Sequence, residues 1–149
     1  MTAPPDIARW CAAALLVTPD GRYLMQLRDD KPTILLPGHW ALFGGTVDAG
    51  ETAAAAMRRE LGEELELAAP EIAPFSEMVV ELPFVPPRFD RMSFFVVPIT
   101  EREERAMVQH EGAGRRLFTP EALAAEPRVA PWDLAAVLMH ARRRNLFHR

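Results

Sequence analysis

Three glutamates, Glu60, Glu63 and Glu64, constrain this chain more than any other feature. They fall in the segment Thr52 to Leu65, which is rich in Ala, Leu, Arg and Glu, all good helix formers. Ala54, Met57, Leu61 and Leu65 recur there at spacings of three and four and predict one apolar stripe. Gly62 weakens such a helix by about 1 kcal/mol relative to Ala. On it the three acids are i, i+3, i+4 neighbours, with Cβ atoms roughly 5–6 Å apart. Like charges so placed repel by about 0.2–0.5 kcal/mol per pair. The helix dipole disfavours each by a further ~0.3–1 kcal/mol, because they sit in the last turns. Glu64 also borders the apolar stripe, where a carboxylate is partly desolvated and needs a partner. Stability alone does not select this arrangement.

A hard divalent cation has the right chemistry to be that partner. Mg²⁺ takes oxygen ligands, keeps several waters, and is shared between carboxylates and substrate phosphates. Carboxylates on a rigid helix pre-organise such an ion. The plain alternative is a solvated acidic face, the usual fate of an acidic helix.

The rest of the chain supplies an alternation of strands and helices. Residues 1–8 read as a lead-in. Trp10 to Val17 and Arg22 to Arg28 read as strands joined by the turn Thr18-Pro19-Asp20-Gly21. Asp29 to His39 carries Pro32, Pro37 and Gly38 and reads as loop, followed by a short apolar stretch that ends in a Gly44-Gly45 turn. Phe75 to Leu82 and Met92 to Ile99 read as strands flanking a proline-rich connection, Pro83 to Arg91. Glu101 to Gly114 reads as charged loop and Arg115 to Phe118 as a short strand. Thr119-Pro120-Glu121 is a helix start, and Trp132 to Arg144 reads as a late amphipathic helix with a basic end suited to the dipole. The expectation is an α/β chain of one domain, residues 1–149.

The segment Gly45 to Leu67 resembles the Nudix box, G-x5-E-x7-R-E-U-x-E-E-x-G-U, with U a bulky aliphatic residue. Gly45, Glu51, Arg59, Glu60, Leu61, Glu63, Glu64 and Leu67 match in register, and Glu66 stands where the family has glycine. With average residue frequencies, a chance match this good falls below about 1 in 10⁵. The order of strands and helices around it is similar to the family's α/β/α sandwich on a mixed sheet. The resemblance implies an enzyme that hydrolyses a diphosphate linkage in a nucleoside triphosphate, oxidised nucleotide or nucleotide sugar with Mg²⁺ or Mn²⁺. It implies metal binding by Glu60, Glu63, Glu64 and the Gly45 backbone, beside a Gly44 bend. It implies a Glu51–Arg59 ion pair, with Arg59 also orienting a glutamate. It sets Glu63, Glu64, Arg59 and Glu111 as the catalytic candidates, Glu111 from a His110-Glu111-Gly112 loop and with Glu101, Glu103 and Glu104 as rivals. A glycine at position 66 would end the helix in the left-handed conformation. Glutamate costs about 1 kcal/mol there if that geometry holds, or the helix ends differently, toward Pro70.

Substrate contacts are less defined. Arg28 ends a strand where a guanidinium fork would suit phosphate. Trp40 and Phe43 could face a base or pack in the core, and Arg88 could lie on the lip of a pocket. His39, His110, His140 and His148 lack zinc-ligand spacing. A net charge of −4 disfavours long nucleic acid as partner and leaves a small nucleotide open. Cys11 is the only cysteine, which excludes an internal disulfide and fits a cytoplasmic setting. No apolar run reaches the roughly 18 residues of a membrane span. A homodimer is compatible with the family. The competing functional reading is a non-catalytic, Nudix-like nucleotide sensor or scaffold, for which three mutually repelling acids have no evident use.

Overall fold

A strand whose neighbouring residues are both apolar must be covered on both faces, and Trp10 to Leu16 is such a run. The computed structural model describes residues 2–69 and 71–146. In chain order it has β1 (Ile7–Val17), β2 (Tyr23–Leu27), β3 (Trp40–Ala41), β4 (Phe43–Thr46), α1 (Ala53–Leu65), β5 (Ala73–Leu82) and β6 (Arg88–Pro98). Then come α2 (Glu101–Ala106), β7 (Gly114–Phe118), α3 (Pro120–Ala125), α4 (Pro131–Arg142) and a 3₁₀ turn, Arg143–Leu146. The mixed sheet runs β3-β2-β1-β6-β5, with β4 pairing β1 and β7 pairing β2. β1 lies parallel to β6 and antiparallel to β4.

The two faces of β1 feed two cores. Ala12, Ala14 and Leu16 join Phe43, Phe95 and the α1 residues Ala56, Met57, Leu61 and Leu65. Ala13 and Leu15 join Tyr23, Met25, Phe94 and Phe118 beneath Leu123 of α3 and Ala136 and Val137 of α4. This is an α/β/α sandwich. Leu61 and Leu65 are fully buried, and each such side chain contributes about 1.5–3 kcal/mol by leaving water.

Helix α1 starts where the Thr52 hydroxyl accepts from the Ala55 N–H at 3.1 Å, a cap worth about 1 kcal/mol. It ends at Glu66, which is left-handed (φ 52°, ψ 34°) and whose N–H donates to the Gly62 carbonyl. The glycine-type ending is therefore kept without the glycine.

Several sequence expectations are corrected. β1 begins at Ile7, inside the expected lead-in. Gly44 and Gly45 lie in β4, paired with Ala13 and Ala12, not in a turn. β6 begins at Arg88 rather than Met92, because β1 and β5 bond its backbone on both sides from Phe89 onward. Glu101–Ala106 is helix, held by a reciprocal cap between Thr100 and Glu103. α4 gives way to the 3₁₀ turn after Arg142. His148 lies outside the described residues.

Candidate active site

The site forms where the C-terminal half of α1 crosses β4. Glu60 turns inward because Gly45 leaves room: a Cβ on Gly45 would sit 2.4 Å from the Glu60 carboxyl carbon. Glu64 lies one turn on and is 3% exposed. Glu111 comes from the loop between α2 and β7. Glu60, Glu64, Glu111, Gly44 and Gly45 line one groove of about 690 Å³. Burial pushes the Glu64 carboxyl far above the usual carboxylate range, helped by its contact with Glu60 and by the charges of Glu111 and Glu60, while the Gly44 backbone opposes the shift.

Glu63 does not join them. Its side chain is 59% exposed and faces Arg59 at 3.4 Å, so the expected convergence of three helix acids becomes two helix acids and one loop acid. Arg59 spans the gap between loop and helix. Its Nε and Nη2 donate to the two oxygens of Glu51 at 2.9 and 2.8 Å. Nη1 donates to Glu60 Oε1 at 2.9 Å, and Nη2 to the Thr46 carbonyl at 3.1 Å. Arg59 draws the Glu51 carboxyl down to about 2. The rivals of Glu111 are occupied elsewhere. Glu101 pairs with Arg22, Glu103 caps α2, and Glu104 binds Arg115 at 2.9 Å.

Arg28 and Arg88 face the groove, joined by Arg9, which sequence reasoning missed. Asp90 holds Arg88 through two bonds of 3.0 Å. Phe43 is fully buried in the core and does not face a ligand. Trp40 stacks edge-on against Phe118 at 4.9 Å and lines neither the groove nor the cavity beside it. That adjoining cavity, about 130 Å³, shares Arg9, Arg28, Gly44 and Gly45 with the groove and is lined further by Trp132 and Asp133. Asp133 is buried; its Oδ2 accepts from the Leu42 N–H at 3.0 Å, and burial raises its carboxyl to about 7. An acid in a first helical turn reads in sequence as a dipole-favoured residue, which hid it.

Among the described residues, two buried side-chain oxygens have no hydrogen-bond partner: Glu64 Oε2 and Asp133 Oδ1. Glu64 lines the groove and Asp133 its neighbouring cavity. Among those residues, too, no three acidic, histidine or cysteine side chains are arranged to hold a metal by themselves. Mg²⁺ needs no such cage, since one or two carboxylates suffice when water and phosphate complete the shell. An orphaned Glu64 oxygen beside Glu60 fits that donor set.

The NUDIX domain model matches residues 8–139. The chain belongs to the Nudix family. A stretch of 64 residues is 44% identical to the nucleoside triphosphatase NudI of Escherichia coli, covering 41% of this chain and 44% of NudI. The chain thus spans under half the length of the NudI sequences it matches. Its fold is similar to that of the E. coli dihydroneopterin triphosphate pyrophosphohydrolase, with TM-score 0.73, 21% identity and coverage of 93% and 99% of the two chains. It is also similar to the E. coli ORF135 protein, with TM-score 0.72, 23% identity and coverage of 95% and 94%. At these identities the likenesses speak for the Nudix fold alone. No helix among the described residues is long and apolar enough to cross a membrane.

Proposed function

We propose that this Nudix protein is a pyrophosphohydrolase that uses Mg²⁺ or Mn²⁺ to cleave a phosphoanhydride bond in a nucleoside triphosphate or a related nucleoside diphosphate derivative. The observation that carries the proposal is that Glu64 and Asp133, two buried acids each with an unpartnered carboxylate oxygen, line two joined compartments. An unpartnered buried carboxylate oxygen costs folding free energy, and a ligand in each compartment would satisfy it. The activity that NudI is named for, nucleoside triphosphate hydrolysis, points the same way.

Glu60, Glu64 and Glu111, with the Gly44-Gly45 backbone beside them, would hold the ion. When bound, it would neutralise phosphate charge and lower the pKa of a water. Arg28, Arg88 and Arg9 would neutralise the remaining phosphate oxygens. Glu111, presented from a loop, would take the proton of the attacking water. Arg59 would not touch substrate; its bonds to Glu51 and Glu60 set the angle of α1 to the β4 loop. Glu63 would act at the rim through Arg59. The cavity lined by Asp133 and Trp132 would receive the base, with the Asp133 carboxyl meeting one of its polar edge groups. A cytoplasmic setting belongs to the same proposal, as the place where nucleoside triphosphates and reduced thiols coexist.

The test is a panel of nucleoside triphosphates and nucleotide sugars with Mg²⁺ or Mn²⁺, with products identified by mass. Release of pyrophosphate or of nucleoside monophosphate supports the proposal. Silence across the panel, with tight metal-independent nucleotide binding, returns the non-catalytic sensor.

A further inference from the structure

Glu66 occupies the left-handed end of α1, a conformation that penalises any residue with a Cβ. Its side chain has found a use there: Glu66 Oε2 lies 2.8 Å from His110 Nε2. The same loop takes up the carbonyls that the helix end leaves free. The Val108 N–H donates to Leu65 O at 3.2 Å, and the His110 N–H to Glu64 O at 2.8 Å. On its far side the loop is pinned to β2. Gln26 Nε2 donates to the Glu111 carbonyl at 3.0 Å and Ala113 N–H to Leu27 O at 2.8 Å. Gly112, at φ 89°, passes so close that a Cβ would meet the Gln26 side chain at 2.7 Å. Glu111 therefore hangs between two anchors, and the anchor on the α1 side is its neighbour His110.

We propose that Glu66 is a positioning residue: through His110 it fixes the loop that presents Glu111 to the groove shared with Glu60 and Glu64. The inference rests on the reading of that groove as a metal-dependent hydrolytic site. A latch between the C-cap of the acid-bearing helix and the residue before the loop acid couples the two sources of carboxylate. In this chain the strain at position 66 is retained together with that contact.

The experiment compares the wild type with Glu66→Gly, Glu66→Gln, Glu111→Gln and the double variant Glu66→Gly/Glu111→Gln, with Glu64→Gln as reference. Melting temperature, kcat and KM on a hydrolysed nucleotide, and Mn²⁺ affinity by electron paramagnetic resonance without substrate are read for each. Glu66→Gly relaxes the left-handed backbone, so it should melt no lower than wild type. Its kcat should nonetheless fall about three- to tenfold, with KM for the nucleotide nearly unchanged and Mn²⁺ bound more weakly by a similar factor. Glu66→Gln keeps a side-chain oxygen for His110 and should recover most of the loss. The double variant should be no slower than Glu111→Gln alone, since both changes act through one carboxylate. Wild-type kcat and Mn²⁺ affinity in Glu66→Gly, while Glu64→Gln is inactive, would overturn the latch and leave the hydrolytic reading standing. A Glu66→Gly protein that loses stability and activity together, without rescue by Gln, would overturn it too. Full turnover in Glu64→Gln and Glu111→Gln would instead bring down the underlying reading of the groove.

Discussion

Gly45 and Glu60 occupy one space: the hydrogen of the glycine is what lets the carboxylate lie against β4, and a methyl there would stand 2.4 Å from the carboxyl carbon. The strand and the helix thus share a single packing decision.

Gly45→Ala tests that decision directly. The methyl must expel the Glu60 carboxylate or push α1 outward. Overpacking of this kind costs about 1–3 kcal/mol, and a displaced ligand of the groove should cost at least about tenfold in kcat/KM. Urea unfolding and steady-state kinetics measure the two effects. An Ala variant with wild-type turnover would show that Glu60 need not lie where it does.

Glu64→Gln should separate stability from activity. The amide replaces a buried acid whose charged form is disfavoured by burial and by the neighbouring acids, so the metal-free protein should melt at the same temperature or higher. Turnover should drop by at least about 100-fold. A variant that is both less stable and fully active would contradict both halves.

Asp133→Asn should alter choice of substrate more than rate. The amide keeps an acceptor for the Leu42 N–H but offers a different donor–acceptor pattern to the cavity. The ratio of kcat/KM between two bases should shift about tenfold or more, while kcat on the best substrate changes little. Equal losses on every nucleotide would place Asp133 outside recognition.

His140→Gln should flatten acid sensitivity. His140 is buried on α4, its Nδ1 2.7 Å from the Tyr23 hydroxyl, and burial lowers its pKa to about 4. The unfolded chain takes up this proton near pH 6.5, whereas the folded chain resists until about pH 4. The neutral ring therefore favours folding above pH 6.5, and that contribution is lost as pH falls toward 4. Urea midpoints from pH 4 to 8 should show the wild type declining relative to the variant across that window. Parallel curves would mean that His140 titrates alike in both states.

Helix α1 was legible because its signals are local. Thr52, the stripe through Met57, Leu61 and Leu65, and the run of acids all act within a few turns. Even there, burial of Ala56 depends on what lies above it and was not foreseen from the stripe. Helix α2 escaped because its six residues are too short to show a stripe. Its Thr100–Glu103 cap was written in the sequence but sat in what read as a charged loop. The start of β6 escaped because one of its two partners, β1, lies far away in the chain, and Arg88 to Arg91 carry no alternation of their own. The groove was half legible. Glu60 and Glu64 followed from helical spacing, while Glu63 was turned aside by Arg59, a competition between charges that spacing does not settle. Asp133 and Arg9 reach the cavity only through the pairing of β1 with β4 and β6 and the seating of α4. No local pattern encodes that.

The alternation of β1 has a further reach. Residues of even number pack with the acid-bearing helix and residues of odd number with the layer of α3 and α4, so the core under the acids of the groove is distinct from the core under α4. Changes at Ala130 to Asp133 can reshape what enters without disturbing the packing under Glu60 and Glu64. On the proposed function, new specificities should therefore be reachable by editing that corner alone, while Glu60 and Glu64 are left as they stand.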